Sequence, residues 1–364
     1  MRNVLMTGGD GLVGAHLLAS LLRRADVQRV FVLSRDAQAP EADARRRLMD
    51  FVGAEGERIS LLSGDVQRAR FGLEEEAWRE VGATVDEAFH CAETQSLAPG
   101  ETTAAGNWIE FLKQHEHVRL GYLSSAFVAG RRRGLFTEFD LDCGQSFRNA
   151  SERACFEAER ELRASPVSSR VNVFRPSHIV GDSTSGRAFA FTGFYNVLSR
   201  LRRKGLKLLA ADSAARLDVV PVDYVAGAML SLSDEPSSAG SNFHLVAGWE
   251  KSTPLRDFVK MVTAYGRPKS ARVRFLPPVL AGLGRGAEKR NGNSQGSKSR
   301  STFDEYLTPC TVFDNYLAAG ELEGRGIICP PFDSYVGPVL EYAEAHGWAP
   351  PPLRPTQVGA ADAL

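Results

Sequence analysis

Cysteine is scarce in this chain: five in 364 residues, at Cys91, Cys143, Cys155, Cys310 and Cys329, with no two in CxxC spacing. The odd count and the scatter argue against a disulfide framework, and no metal-ligand pattern is visible. No apolar run reaches the ~18 residues that cross a bilayer, so membrane insertion is not expected. Net charge is missing too, with Lys+Arg and Asp+Glu at 44 each. That balance removes the global argument for nucleic acid or an anionic membrane as a partner. The basic runs Arg131-Arg132-Arg133 and Arg200 to Lys204 read as solvated faces. No leader is expected, because Val4-Leu5-Met6 reads as a strand at once. A reducing cytoplasm is the expected compartment.

What is present begins at that strand. Asn3 to Met6 is followed by Thr7-Gly8-Gly9-Asp10-Gly11-Leu12-Val13-Gly14 and then by helical apolar spacing from Ala15 to Arg24. Strand, glycine turn and helix are the context a phosphate-binding fingerprint needs. Gly8 permits the tight turn, Gly11 lets the backbone approach a pyrophosphate, and Gly14 lets helix and strand pack closely. The helix N-terminus offers free N–H groups to the phosphates. A second strand, Val30 to Leu33, ends at Ser34-Arg35-Asp36. A hydroxyl followed by a guanidinium suits a ribose 2′-phosphate, so NADP(H) is favoured; Asp36 leaves NAD(H) open. Later strands end at Gly64-Asp65-Val66, at His90-Cys91-Ala92 and at Ser124-Ser125. Asp65 and Val66 are placed to flank the adenine, and Cys91 and Ala92 lie at the cofactor edge. Strands alternating with helices imply an α/β fold, a Rossmann-type doubly wound parallel sheet with a smaller C-terminal substrate-binding lobe.

These residues together resemble the extended short-chain dehydrogenase/reductase superfamily, and within it the thioester-reductase and fatty-acyl reductase (male-sterility-like) branch. Further matching marks are Ser124 to Gly130, Phe174-Arg175-Pro176-Ser177-His178-Ile179-Val180-Gly181 and Val219-Val220-Pro221-Val222-Asp223-Tyr224. The tail pieces Thr311 to Asn315, Gly326 to Ile328 and Pro330 to Phe332 match as well. The resemblance implies that Ser125, with Ser124, polarises a substrate carbonyl and that Pro176 and His178 border the nicotinamide. It also implies a Tyr proton donor and a Lys one helical turn later. Those two places hold Ser151 and Cys155. A serine hydroxyl is a far weaker acid than a phenol of pKa about 10, and a thiol cannot replace the ammonium charge. A relay Asn is expected near Thr103, with Asn107 shifted by a turn. Tyr122, Glu93, Glu138, His178, Tyr195 and Tyr224 are the titratable candidates for a substitute donor. The pair Tyr265 and Lys269 reads as chance.

The expected organisation is 1–180 mainly dinucleotide-binding and 181–350 mainly substrate lobe, with 216–230 returning to the sheet domain. A flexible loop is expected at 284–301 and a loosely ordered tail at 351–364. The aromatic stretch Phe189 to Leu198 reads equally as pocket lining and as lobe core. Three functions are compatible with these residues. The first is an atypical NADPH-dependent reductase acting on an activated carbonyl or iminium-like carbon of an apolar or aromatic secondary metabolite of polyketide or quinolone type. There the substrate assists its own protonation. The second is a non-catalytic NADP(H)-binding sensor or scaffold, and the third a conventional thioester reductase.

Overall fold

Val4, Leu5 and Met6 have no exposed surface, because strand β1 (Arg2–Thr7) lies inside a sheet covered on both faces. The computed structural model describes residues 1–34, 42–92, 103–191, 193–203, 208–266, 274–276 and 311–349. Arg35, Asp36, Glu93, Lys269, the 284–301 loop and the 351–364 tail lie outside the described residues. After β1 the chain alternates through α1 (Leu12–Leu22), β2 (Val27–Ser34), α2 (Ala42–Val52), β3 (Ile59–Ser63), α3 (Glu75–Thr84), β4 (Glu87–His90), α4 (Ala104–Gln114) and β5 (Arg119–Leu123). It continues through β6 (Gly134–Phe136), α5 (Ala150–Ala164), β7 (Val171–Pro176), β8 (His178–Val180), α6 (Tyr195–Arg203), β9 (Leu208–Ala210), β10 (Arg216–Leu217) and β11 (Val219–Pro221). Then come α7 (Val222–Ser233), β12 (Asn242–Leu245), α8 (Gly248–Lys251), β13 (Thr253–Pro254), α9 (Leu255–Ala264), β14 (Arg274–Leu276) and β15 (Thr311–Phe313). Two helices follow, which we number α10 (Tyr316–Glu323) and α11 (Phe332–Ala345).

Seven strands form one parallel sheet in the order β12-β7-β5-β4-β1-β2-β3. Strand order reverses between β1 and β4, and such a switch point opens a crevice beyond the strands' carboxyl ends. Apolar residues of α1, α7 and α10 pack on one face, and those of α3, α4 and α5 on the other. A separate core joins α6, α9 and α11 to β8, β10 and β11. The Arg216–Pro221 stretch does not enter the main sheet: β11 pairs with β8 and β10 with β13. The sheet is rejoined by β12, which runs parallel to β7. Among the described residues no helix is long and apolar enough to cross a membrane.

Candidate active site

The crevice at the switch point is floored by backbone. Gly8 has φ +71°, and a Cβ there would stand 2.3 Å from the Ala92 amide nitrogen. A Cβ on Gly14 would stand 1.9 Å from the Gly8 carbonyl oxygen, so helix α1 seats directly on the turn. At Gly11 the contact is only 3.3 Å, again to the Gly8 oxygen. Gly11 is the N-cap of α1 and gives it no side-chain cap, so the first-turn amides at Leu12, Val13 and Gly14 have no intrahelical acceptor. This cradle fits a dinucleotide: amides converge where bulk is excluded, with the positive end of a helix behind them. Thr7 Oγ1 hydrogen-bonds His90 Nδ1 at 2.7 Å and ties the two strand ends together. Burial depresses His90 to about 3, leaving it neutral, and its ring stacks on Tyr122 at 4.6 Å. Burial also pushes the Cys91 thiol up to about 12, so it is an inert wall.

Ser34 closes β2 half-buried, and its carbonyl accepts the Gly64 N–H at 2.9 Å. One Asp65 oxygen accepts the Gln67 N–H at 2.9 Å. Asn107 Nδ2 donates to the Val66 carbonyl at 2.8 Å, fixing the strand end proposed for the adenine. Thr103 is the N-cap of α4, accepting from the Gly106 N–H at 2.8 Å and donating to Glu161 at 2.5 Å.

The two strand-end serines differ sharply. Ser124 is buried and donates to Glu159 Oε1 at 2.5 Å. The same carboxylate takes a forked grip from Arg175, whose Nη2 lies 2.6 Å away, and neither side chain has exposed surface. Arg175 Nη1 donates to His244 Nε2 at 3.2 Å. Burial, with the Arg175 charge, drives His244 down to about 3; the neutral ring then donates from Nδ1 to the Asp314 carbonyl at 2.5 Å. Ser125 stands outside this chain of bonds. It is half-buried, caps the short helical turn Ala126–Ala129 and accepts the Phe127 N–H at 3.2 Å. Its own proton meets no acceptor among the described residues.

Helix α5 carries neither Tyr nor Lys. Ser151 is exposed, while Cys155 is half-buried against the cluster that also receives Phe127 and Phe156. Of the described substitute donors, Tyr195 Oη accepts from the Gly181 N–H at 2.7 Å and Tyr224 is buried; burial pushes both phenols well above their ordinary range. His178 is sandwiched between Phe127 at 4.4 Å and Phe194 at 4.3 Å and is held to about 3 by burial and by the Arg148 charge. Pro176 ends β7 in the same corner. Phe189, Phe194 and Tyr195 are core residues; Phe194 also reaches the site through His178.

Glu138, a candidate donor from the sequence, is instead a structural acceptor, and Asp218 is a buried group the sequence does not single out. Glu138 is buried, and its carboxylate accepts the N–H groups of His244, Leu317 and Ala318, joining β12 to the first turn of α10. Desolvation still lifts it to about 7. Asp218, lifted by burial to about 6, accepts from Ser177 Oγ at 2.5 Å and from the Ala247 and Gly248 amides. Glu152 and Glu159 also went unread. Charged residues on the buried face of α5, spaced with Phe156, were the available signal.

Residues 6–229 match the family model described as male sterility protein, an NAD-binding family. A nonribosomal peptide synthetase of Aspergillus flavus is 26% identical over 268 residues, which is 67% of this chain and 26% of that protein. A carboxylic acid reductase of Mycobacterium marinum is 24% identical over 308 residues, 74% of this chain and 26% of that protein. The chain therefore spans about a quarter of the length of these relatives. The fold is similar to the terminal R domain from the myxalamid PKS-NRPS biosynthetic pathway, with TM-score 0.78 and 23% identity over 97% of this chain and 93% of that one.

Proposed function

Because the chain belongs to the NAD-binding male sterility protein family, we propose that it is an NADPH-dependent reductase of an activated carbonyl or iminium-like carbon in an apolar or aromatic secondary-metabolite substrate of polyketide or quinolone type. One observation carries this reading. A close-packed backbone turn lies at the same sheet edge as Ser125, whose proton meets no acceptor among the described residues, while α5 offers Ser151 and Cys155 at i and i+4 and no Tyr or Lys. The amides of Leu12, Val13 and Gly14 would hold the pyrophosphate, Ser34 with Arg35 the ribose phosphate, Asp65 and Val66 the adenine, and Cys91, Ala92, Pro176 and His178 the nicotinamide end. When bound, the nicotinamide supplies a hydride. Ser125 donates a hydrogen bond to the carbonyl oxygen, and Ser124 keeps that strand end in place through Glu159. The electron pair leaving the C=O bond settles on oxygen, where the substrate's own neighbouring phenol or enol hydroxyl stabilises it by a hydrogen bond, and solvent provides the proton. A neutral His178 walled by two phenyl rings excludes water from one side of the site.

A second reading, thioester reduction with departure of a thiol, draws support from the relatives that are carboxylic acid reductase and peptide synthetases. One experiment separates the readings. Purified protein is mixed with NADPH and either 9,10-phenanthrenequinone or an acyl-pantetheine thioester, while absorbance and free thiol are followed. NADPH oxidation with the quinone and no thiol release with the thioester is expected. Stoichiometric thiol release would favour the second reading. Tight NADPH binding with no turnover of either probe would leave only a cofactor-binding sensor or scaffold.

A further inference from the structure

Arg148 precedes α5, and its side chain is only 10% exposed. Its guanidinium meets one carboxylate, Glu152, with Nη1 at 3.1 Å from Oε1. Glu152 is already held by other bonds: Oε2 accepts the Arg148 backbone N–H at 2.8 Å, and Asn149 Oδ1 accepts the Glu152 N–H at 2.9 Å. This is a reciprocal helix cap, and it needs nothing from the arginine side chain. The remaining guanidinium donors of Arg148 find no acceptor among the described residues and stay open to solvent, free to meet a ligand.

The backbone leading to Arg148 is stitched to the turn that follows Ser125. Gln145 Nε2 donates to the Val128 carbonyl at 2.8 Å, and the Arg131 N–H donates to the Ser146 carbonyl at 2.8 Å. Phe147 packs on Phe156 at 5.1 Å. Phe127, two residues after Ser125, lies on His178, and the Arg148 charge is near enough to help keep that imidazole neutral. Ser125, His178 and Arg148 thus share one corner of the crevice, and only the last brings a positive charge.

We infer that Arg148 is the cationic hydrogen-bond donor of this site and binds an oxyanion of an acidic aromatic substrate, such as a phenolate, enolate or aryl carboxylate, beside the carbonyl that Ser125 contacts. The inference rests on the reductase reading and narrows its substrate class. As the new C–H bond forms, the C=O π pair moves onto oxygen as an alkoxide, and the guanidinium faces that charge until solvent supplies a proton. A planar fork suits such an oxygen pair better than an ammonium does.

The test titrates 1-hydroxy-2-naphthoate and the neutral 2-acetonaphthone calorimetrically into the protein, with and without NADP+. Wild type is expected to bind the naphthoate. Arg148→Ala and Arg148→Gln are expected to weaken it by about tenfold to a hundredfold, with NADP+ and acetonaphthone binding unchanged within about twofold. Arg148→Lys should fall between, and millimolar guanidinium should restore part of the affinity of Arg148→Ala. Unchanged naphthoate affinity in either neutral variant, or no naphthoate binding by the wild type, overturns the inference. Failure of the wild type to bind NADP+ would overturn the reductase reading alone, because the naphthoate titration is read separately. If Arg148→Ala fails to fold, Arg148→Gln and Arg148→Lys decide the question.

Discussion

Glu159 and Arg175 face each other with no exposed side-chain surface on either partner, joining the middle of α5 to the end of β7 through a forked pair. Ser124 and His244 satisfy remaining positions of that pair. Removing one partner strands the other charge. Arg175→Met should cost ~3–5 kcal/mol, read by urea denaturation. A loss below about 1 kcal/mol would mean the pair is not closed in solution.

Ser124 and Ser125 should separate cleanly on mutation. Ser125→Ala is expected to lower kcat with the quinone probe by about a hundredfold, the scale of one lost oxyanion donor, with unfolding unchanged. Ser124→Ala leaves a Glu159 lone pair empty and should show mainly as lost stability, about 1–3 kcal/mol. Equal loss of kcat in both variants would contradict this assignment.

For the cradle, Gly8→Ala forces a Cβ into the Ala92 backbone at a φ of +71° and should abolish dinucleotide binding in a fluorescence titration. Gly53 also has positive φ, +74°, but open space around it. Gly53→Ala should therefore cost only ~1–2 kcal/mol of backbone strain and leave binding intact.

Acid should expose the buried imidazoles. His90, His178 and His244 are each depressed to about 3 and His16 to about 4, all chiefly by burial. The unfolded chain protonates near the ordinary 6.5, so the stability each neutral ring contributes is present above that value. It is lost as pH falls toward the folded one, at ~1.4 kcal/mol per pH unit per ring. Glu87 and Glu138, lifted to about 7, and Asp218, lifted to about 6, act oppositely: they favour the fold at low pH and lose that as pH rises. A single-residue difference isolates one ring. Between roughly pH 7.5 and pH 5, His178→Phe should lose about 2 kcal/mol less than wild type in urea melts. Identical losses would show that His178 is solvated.

Apolar strands, the glycine turn and a helix after it made β1, α1 and the cradle legible, since local period and backbone demand coincide there. Pairing partners were not legible. Arg216–Pro221 looks like a sheet strand and is instead held by β8 and β13, because β-order is decided by contacts far apart in sequence. The same holds for Glu138, which caps a helix turn 179 residues away. Glu159 reads as one more charge on a charged helix until Arg175 is seen opposite it. A period gives the face a residue occupies, never what it meets.

The Gly8–Ala92 approach has an evolutionary reach. Because the pyrophosphate end of the proposed nucleotide seat consists of peptide groups, it would stay indifferent to drift in the side chains around it. Under the proposed function, side chains of the neighbouring helix could change by point substitutions without touching that backbone, so new reactions could arise here without passing through an unliganded ancestor.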